Sequence, residues 1–399
     1  MRSTLGVNRA GEGTSGAKCR LGHVLIDAQG LPRGCRRDGQ NSSKNCSLRC
    51  VKYITYPMPA IAQGVRELKM VTIWPKTLPG LQSGAERVAE AITSLSGGRL
   101  NVKVFAAGQL VGAFESFDAV SSGLADMYHA SEITWAGHSP AFSYFCNVPF
   151  GFTPPEINAW IYHGGGQALW DELSAGFGLK PFMCGNTGPQ MGGWFTKELT
   201  GVESYKGLRY RMPGVGGEVL RRLGAVVVNL PAGEIIPSLR SGAIDASEFA
   251  GPWVDMALGL HKAAKYYYYP GFHEPGAAIS LAVNKQLWDG LGRSERSVIA
   301  TAAAAENAVS YADFTANDAI ALQQIANDPA IEVRKLDDSI LQALGRISGE
   351  VLYETSRKDD LTRRVYDGFI KFRISALRWG DISERAFLNA RALPYPFGG

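Results

Sequence analysis

The sequence predicts an α/β protein of two lobes, with strands crossing between them and a helical region at the C-terminal end. Three observations predict it. Strand-like and helix-like patterns alternate over residues 67–129 and again over 207–249, the rhythm of sheets flanked by helices. A new strand-like run at 278–283 follows the second set and reads as a return to the first lobe. Beyond Leu287 the chain reads as almost wholly helical, with a long alanine-rich stretch over 294–326.

The elements follow in order. LKMVTIW (68–74) reads as a strand ending at Trp74–Pro75, and 80–95 as a helix with Leu81, Val88, Ala89 and Ile92 on its apolar face. NVKVF (101–105) alternates as a half-buried strand does; a helix over 115–122 then leads to strand-like residues 125–129. The second lobe is expected to begin near residues 181–185. There GLRYRM (207–212) reads as a strand, 213–217 as a tight glycine turn, 218–223 as a helix, 225–230 as a strand, 234–241 as a helix and 244–249 as a strand. The four tyrosines 266–269 read as a structural strand with rings on both faces. The predicted division is a first lobe over 63–184, a second over 185–277, a return to the first with the long helix over 278–340, and C-terminal helices over 341–399.

Charge and cysteine divide along the chain. Residues 1–57 hold ten Lys/Arg against three Asp/Glu, whereas the rest holds 31 against 34. A nucleic-acid binder carries its basic patch on the folded domain; here the excess lies in a segment without helical or strand periodicity, which argues against nucleic acid as a partner. Cys19, Cys35, Cys46 and Cys50 share that segment and lack zinc-ligand spacing, while Cys146 and Cys184 in the body could pair. GEGTSGAK (11–18) fails as a phosphate loop, because Ala17 holds the lysine position and no Ser or Thr follows Lys18. Ala60-Ile61-Ala62 before Gln63 reads as a signal-peptidase site. The basic patch and apolar run that belong before such a site are missing, so residues 1–62 are expected to be an aberrant or disordered leader. No stretch approaches the roughly 18 apolar residues of a membrane span.

Several strings resemble the solute-binding proteins of tripartite ATP-independent periplasmic (TRAP) transporters: GQLVG (108–112), FDAV (117–120) with Gly123, GLRYR (207–211) and LRSGAIDA (239–246). A narrower resemblance, to the subfamily that binds 2-oxo acids with a cation, rests on GNTGPQMGGW (185–194), GVGGEVL (214–220) and AKYYYYPGFHEPG (264–276). The resemblance covers residues 66–393. It implies the hinged periplasmic-binding-protein fold, a periplasmic location, and delivery of a small 2-oxo or 2-hydroxy monocarboxylate to a membrane permease. It also implies dimerisation through the C-terminal helices, where Phe369, Phe372, Leu377 and Trp379 supply apolar surface; packing on the chain's own first lobe is the equal alternative.

The resemblance places the carboxylate clamp at Arg211, whose guanidinium offers two parallel donors and stays charged when buried. Arg209 shares its strand face, so motif position alone chooses between them. A carboxylate beside an anionic ligand repels it unless a cation stands between. The resemblance supplies that cation, sodium or calcium, held by Glu274, the side-chain oxygen of Gln190 and the main-chain oxygen of Phe249. All-oxygen ligation suits such a hard ion. A turn carboxylate paired with Lys262 or Lys265 is the plainer alternative for Glu274. Glu248 either orients Arg211 or is an ordinary strand-end carboxylate, and Trp74, Trp135 and Phe249 are candidate walls. Thr134 stands where the subfamily carries tyrosine, which leaves room for a longer ligand side chain, and Glu132 is unusual in the same loop. The six histidines form no helical i, i+4 pair and no evident metal cluster. No nucleophile elbow, HExxH or dinucleotide fingerprint supports an enzyme. A sensory binding protein for the same ligands, or an enzyme acting on 2-oxo acids in the same cleft, remain the alternatives.

Overall fold

A computed structural model of the chain describes residues 64–395; the leader reading of residues 1–62 lies outside them. Eleven strands form two sheets among the described residues. The first sheet has the order β2-β1-β3-β10-β4, built from β1 (Arg66–Thr72), β2 (Leu100–Phe105), β3 (Met127–Ala130), β4 (Leu179–Asn186) and β10 (Ala278–Asn284). The second has the order β11-β9-β5-β8-β6-β7, built from β5 (Gly193–Phe195), β6 (Arg209–Arg211), β7 (Val226–Val228), β8 (Ala246–Ser247), β9 (Tyr266–Tyr269) and β11 (Glu332–Lys335).

In the first sheet β1 runs parallel to β2 and β3, and β10 lies antiparallel between β3 and β4. The helix Leu81–Leu95 buries Leu81, Ala85, Val88, Ala89 and Ile92. That spacing is one apolar stripe at helical period, and it shares a core with Leu68 and Met70 of β1 and Leu281 of β10. The 34-residue helix Arg293–Ala326 adds Ile299, Ala302 and Ala303 to this core. Its alanines explain the close approach, since a methyl group keeps helix and sheet near each other.

The chain leaves the first sheet after β4 and enters the second at β5; it returns between β9 and β10. These two crossings run side by side, tied by Thr187 N to Ala277 O at 3.0 Å, Gln190 N to Glu274 O at 3.1 Å and Gly271 N to Gln190 O at 3.0 Å. The crossings are therefore two hydrogen-bonded connecting segments, which carry Gln190, His273 and Glu274, while residues 278–283, expected to cross, form β10 within the first sheet.

Four differences from the sequence reading have local causes. β4 runs from 179 to 186 in register with β10, so the first sheet extends slightly past the boundary expected near 181–185. Glu332–Lys335 pairs with β9 and so belongs to the second sheet, within a stretch read as a return to the first. The helix after β6 begins at Gly214 and runs to Arg222, four residues before its expected start. Gly217 sits in its first turn, where a Cβ would overlap the Met212 carbonyl, so the glycines mark close packing of a helix and not a loop. Cys146 and Cys184 are buried free thiols and do not pair.

Candidate functional site

The two sheets and the crossings converge on a cleft of ≈570 Å³, its open mouth included. Trp74, Gln190, Arg211, Glu248, Phe249 and Glu274 all line it. Six of the seven residues nominated from sequence are thus brought together from five separate segments.

Arg211 ends β6 and is buried to 7% exposure. Its Nε donates to Leu230 O at 3.1 Å, and Nη1 donates to both Glu248 O at 3.1 Å and Glu248 Oε1 at 2.5 Å. Nη2 has no protein acceptor among the described residues, so one arm of the fork remains for an anion. The Phe249 ring centroid lies 5.4 Å from the guanidinium carbon, within cation–π range. Arg209, two residues earlier, is exposed and spends its fork on Asp245 at 2.8 Å through both Nε and Nη2. Burial and partners therefore separate the two arginines that strand spacing could not.

Glu248 is the orienting group: Oε1 holds Arg211, and Oε2 lies 3.2 Å from His273 Nε2. A buried carboxylate between two such partners is compensated, where an unpaired one costs several kcal/mol (roughly 3–5). Burial alone pulls the His273 pKa down, but the neighbouring Glu248 and Glu274 carboxylates outweigh it and hold His273 above its ordinary value.

Glu274 is buried and pairs with neither Lys262 nor Lys265; Lys265 is bound to Glu332 at 2.7 Å. Its carboxyl is pushed above the usual range, first by burial and then by the Glu248 carboxylate. Gln190 Nε2 donates to Glu274 Oε2 at 2.5 Å, while Gln190 Oε1 is buried without a hydrogen-bond partner. An orphaned buried acceptor beside a disfavoured carboxylate is a site short of positive charge. Rotating the Gln190 amide by half a turn would present Oε1 where Nε2 now lies, so the donor set fits a hard cation. His273 also approaches Glu248 and Glu274, with ligand atoms of all three within 4.8 Å. No local spacing in the sequence marks this cluster, because Glu248 lies 25 residues before His273 and meets it only in the fold. Here His273 and Glu248 already bind one another, and Glu248 binds Arg211, so neither offers a bare ligand.

Trp74 lines the cleft with its indole N–H donating to His129 Nδ1 at 3.0 Å. Burial pushes His129 down to about 4, which keeps that ring neutral and able to accept. Trp135 does not line the cleft. It is 4% exposed, packs on Phe117 and Tyr128 at centroid distances of 5.3 and 5.0 Å, and donates from Nε1 to Phe114 O at 2.8 Å. The motif put the right turn at the cleft but the wrong side chain: Ile133 and Thr134 of the one-turn helix Glu132–Trp135 face the ligand space. Glu132 is buried behind them, accepting from Tyr128 Oη at 2.7 Å and Trp170 Nε1 at 2.8 Å. Burial pushes it up to about 7, with those two donors acting in the opposite sense. Ile73, Leu81, Phe114 and Ile279 complete an apolar wall that sequence reasoning missed, because core and cleft aliphatics look alike in one sequence.

Comparison with known proteins identifies the family. Residues 70–359 match the model of the bacterial extracellular solute-binding proteins, family 7. A monocarboxylate 2-oxoacid-binding periplasmic protein of Nostoc sp. is 38% identical over 321 residues, covering 80% of this chain and 88% of that protein. A TRAP transporter solute-binding protein from Bordetella bronchiseptica, solved as a dimer with copurified calcium and picolinate, superposes with a TM-score of 0.80 at 32% identity. The match covers 82% of this chain and 97% of that one. A TRAP periplasmic solute-binding protein from Pseudoalteromonas atlantica with bound sodium and pyruvate gives a TM-score of 0.79 at 32% identity, over 82% and 99% of the two chains.

Proposed function

The chain belongs to family 7 of the bacterial extracellular solute-binding proteins, the periplasmic receptors of TRAP transporters, and from that premise we propose that it captures a small 2-oxo or 2-hydroxy monocarboxylate with a bridging cation and delivers it to the membrane permease. The observation that carries the reading is the pairing of a free Arg211 Nη2 with the orphaned Gln190 Oε1 in one buried cleft. The first donates to a carboxylate; the second calls for positive charge.

In this reading Arg211 and the cation hold opposite sides of the acid. Gln190, the Phe249 carbonyl and Glu274 supply oxygen to sodium or calcium. The acid chelates the same ion through a carboxylate oxygen and its neighbouring 2-oxygen. The cation offsets the repulsion between Glu274 and the ligand, so neither binds well alone. Phe249 and Trp74 cover the polar end, and the aliphatic wall covers the side chain. Among the described residues that line the cleft, none is arranged as a nucleophile with an adjacent base. The alternative of presentation to a sensor would use the same cleft.

A thermal-shift screen of the full chain, freed of copurified ligand, tests this. Pyruvate at 100 times its dissociation constant raises stability by about 2.7 kcal/mol, and only when sodium or calcium is also present. No shift with any 2-oxo or 2-hydroxy acid overturns the ligand assignment.

The C-terminal helices support a second copy as a further partner. Phe369 and Phe372 pack on Phe152 of the chain's own first lobe, but Trp379, Ile382 and Phe387 are 68%, 75% and 65% exposed. So large an uncovered apolar stretch marks an interaction surface. Light scattering on the eluted protein reads a dimer in this case, and Trp379→Glu with Phe387→Glu shifts it to the monomer.

A further inference from the structure

We propose that Ile133 is a specificity-determining residue, an end stop that limits how long a ligand side chain the cleft accepts. The inference rests on the reading of the cleft as an acid-binding site. A second cavity, ≈1450 Å³ with its mouth included, adjoins the first. Ile133, Thr134 and Pro213 line both. Of these three, Ile133 is the bulkiest apolar side chain, and it is 5% exposed.

Its position is fixed from both ends of its one-turn helix. Glu132 is held by Tyr128 and Trp170 on one side, and Trp135 by the Phe114 carbonyl on the other. Ile133 also reaches across to the helix Gly214–Arg222. Gly214 has φ +61°, and a Cβ there would overlap Ile133 Cγ1. A bare glycine in left-handed conformation thus receives the isoleucine and seals the partition. The buried Glu132 and the inward Trp135 acquire a purpose here: they hold a hydrophobic stop rigid, and rigid walls reject oversized ligands where mobile ones yield.

Beyond the stop, Met212, Val215 and Val351 offer apolar cover along one side of a second cavity whose remaining lining is charged, through Glu218, Arg221, Arg222, Glu354 and Lys358. A side chain that could pass would bury further methylenes, each worth about fourfold in affinity. With Ile133 in place it cannot pass. Chain length is therefore read by one side chain, while the carboxylate end is read by others.

Calorimetric titration of pyruvate and 2-oxooctanoate, with calcium present, into the full chain and its Ile133→Ala and Ile133→Val variants tests this. The wild type prefers pyruvate. Ile133→Ala raises the affinity of 2-oxooctanoate relative to pyruvate at least tenfold, and Ile133→Val raises it by a smaller factor in the same direction. Circular dichroism melts establish that each variant is folded, and if the alanine variant unfolds, the valine ratio decides. An unchanged ratio, or equal loss of both acids, overturns the stop and leaves the acid-binding reading intact. A wild type that binds neither acid overturns both.

Discussion

The two walls of the cleft are built from opposite materials. The second-sheet wall presents charge: Arg211 and Glu248 in a buried pair, joined by His273 and Glu274 from the returning crossing. The first-sheet wall presents Ile73, Trp74, Leu81 and Ile133, and the Glu132 carboxylate is turned away behind them. The contrast is a division of labour. Charged groups in low dielectric fix one end of a ligand strongly and directionally, whereas packed aliphatics set shape and size by exclusion.

Substitutions that break one wall and spare the other sharpen this contrast. The largest effect on acid binding is expected at Arg211. Arg211→Ala removes the ligand's donor and leaves the buried Glu248 with His273 as its remaining partner. Acid affinity falls by about 3 kcal/mol or more, read by calorimetry, with a loss of thermal stability alongside.

Glu274→Gln comes next. With calcium present, acid affinity drops by at least about tenfold, since loss of even an outer-shell group costs a metal site that much. The ligand-free variant melts higher than the wild type by about 2 °C, because the carboxylate disfavoured by burial and by Glu248 is gone. Opposite signs for affinity and stability distinguish a functional carboxylate from a structural one.

Trp135→Phe probes the opposite wall from behind. It loses the hydrogen bond to the Phe114 carbonyl and about 1 kcal/mol of stability, and leaves pyruvate affinity within about threefold. A pocket-lining tryptophan would show the reverse pattern.

The smallest effect on binding is expected at Glu132, where the readout is pH. Its folded pKa, about 7, lies above the ordinary 4.5, so the folded state holds the proton more tightly and stability falls as pH rises from about 4.5 through 7. At most about 3 kcal/mol is at stake. Glu132→Gln flattens that part of the melting-temperature profile and leaves pyruvate affinity at pH 8 unchanged. A steeper profile in the variant would contradict the assignment.

Much of this was legible in the sequence, and for physical reasons. β1 and the helix after it declare themselves by the periods of Leu68, Met70, Val88 and Ile92. Arg211, Gln190 and Glu274 stood in long, distinctive strings. What stayed hidden depends on contacts between distant segments. Glu248 became an orienting residue only once β8 was set beside β6, and β11 joined the second sheet through pairing with β9 after a 34-residue helix. Trp135 misled because an aromatic in a cleft loop serves core and ligand equally well by composition. The register of a one-turn helix decided that Ile133 faces in toward the cleft and Trp135 faces the core.

The most direct test of the account is calorimetric titration of pyruvate into the ligand-free full chain with calcium, with sodium, and with cations removed. Binding that needs the cation is predicted, and so is its reciprocal: pyruvate must tighten cation binding by the same factor. Pyruvate binding of equal strength in cation-free buffer would contradict the bridged site built on Gln190, Phe249 and Glu274.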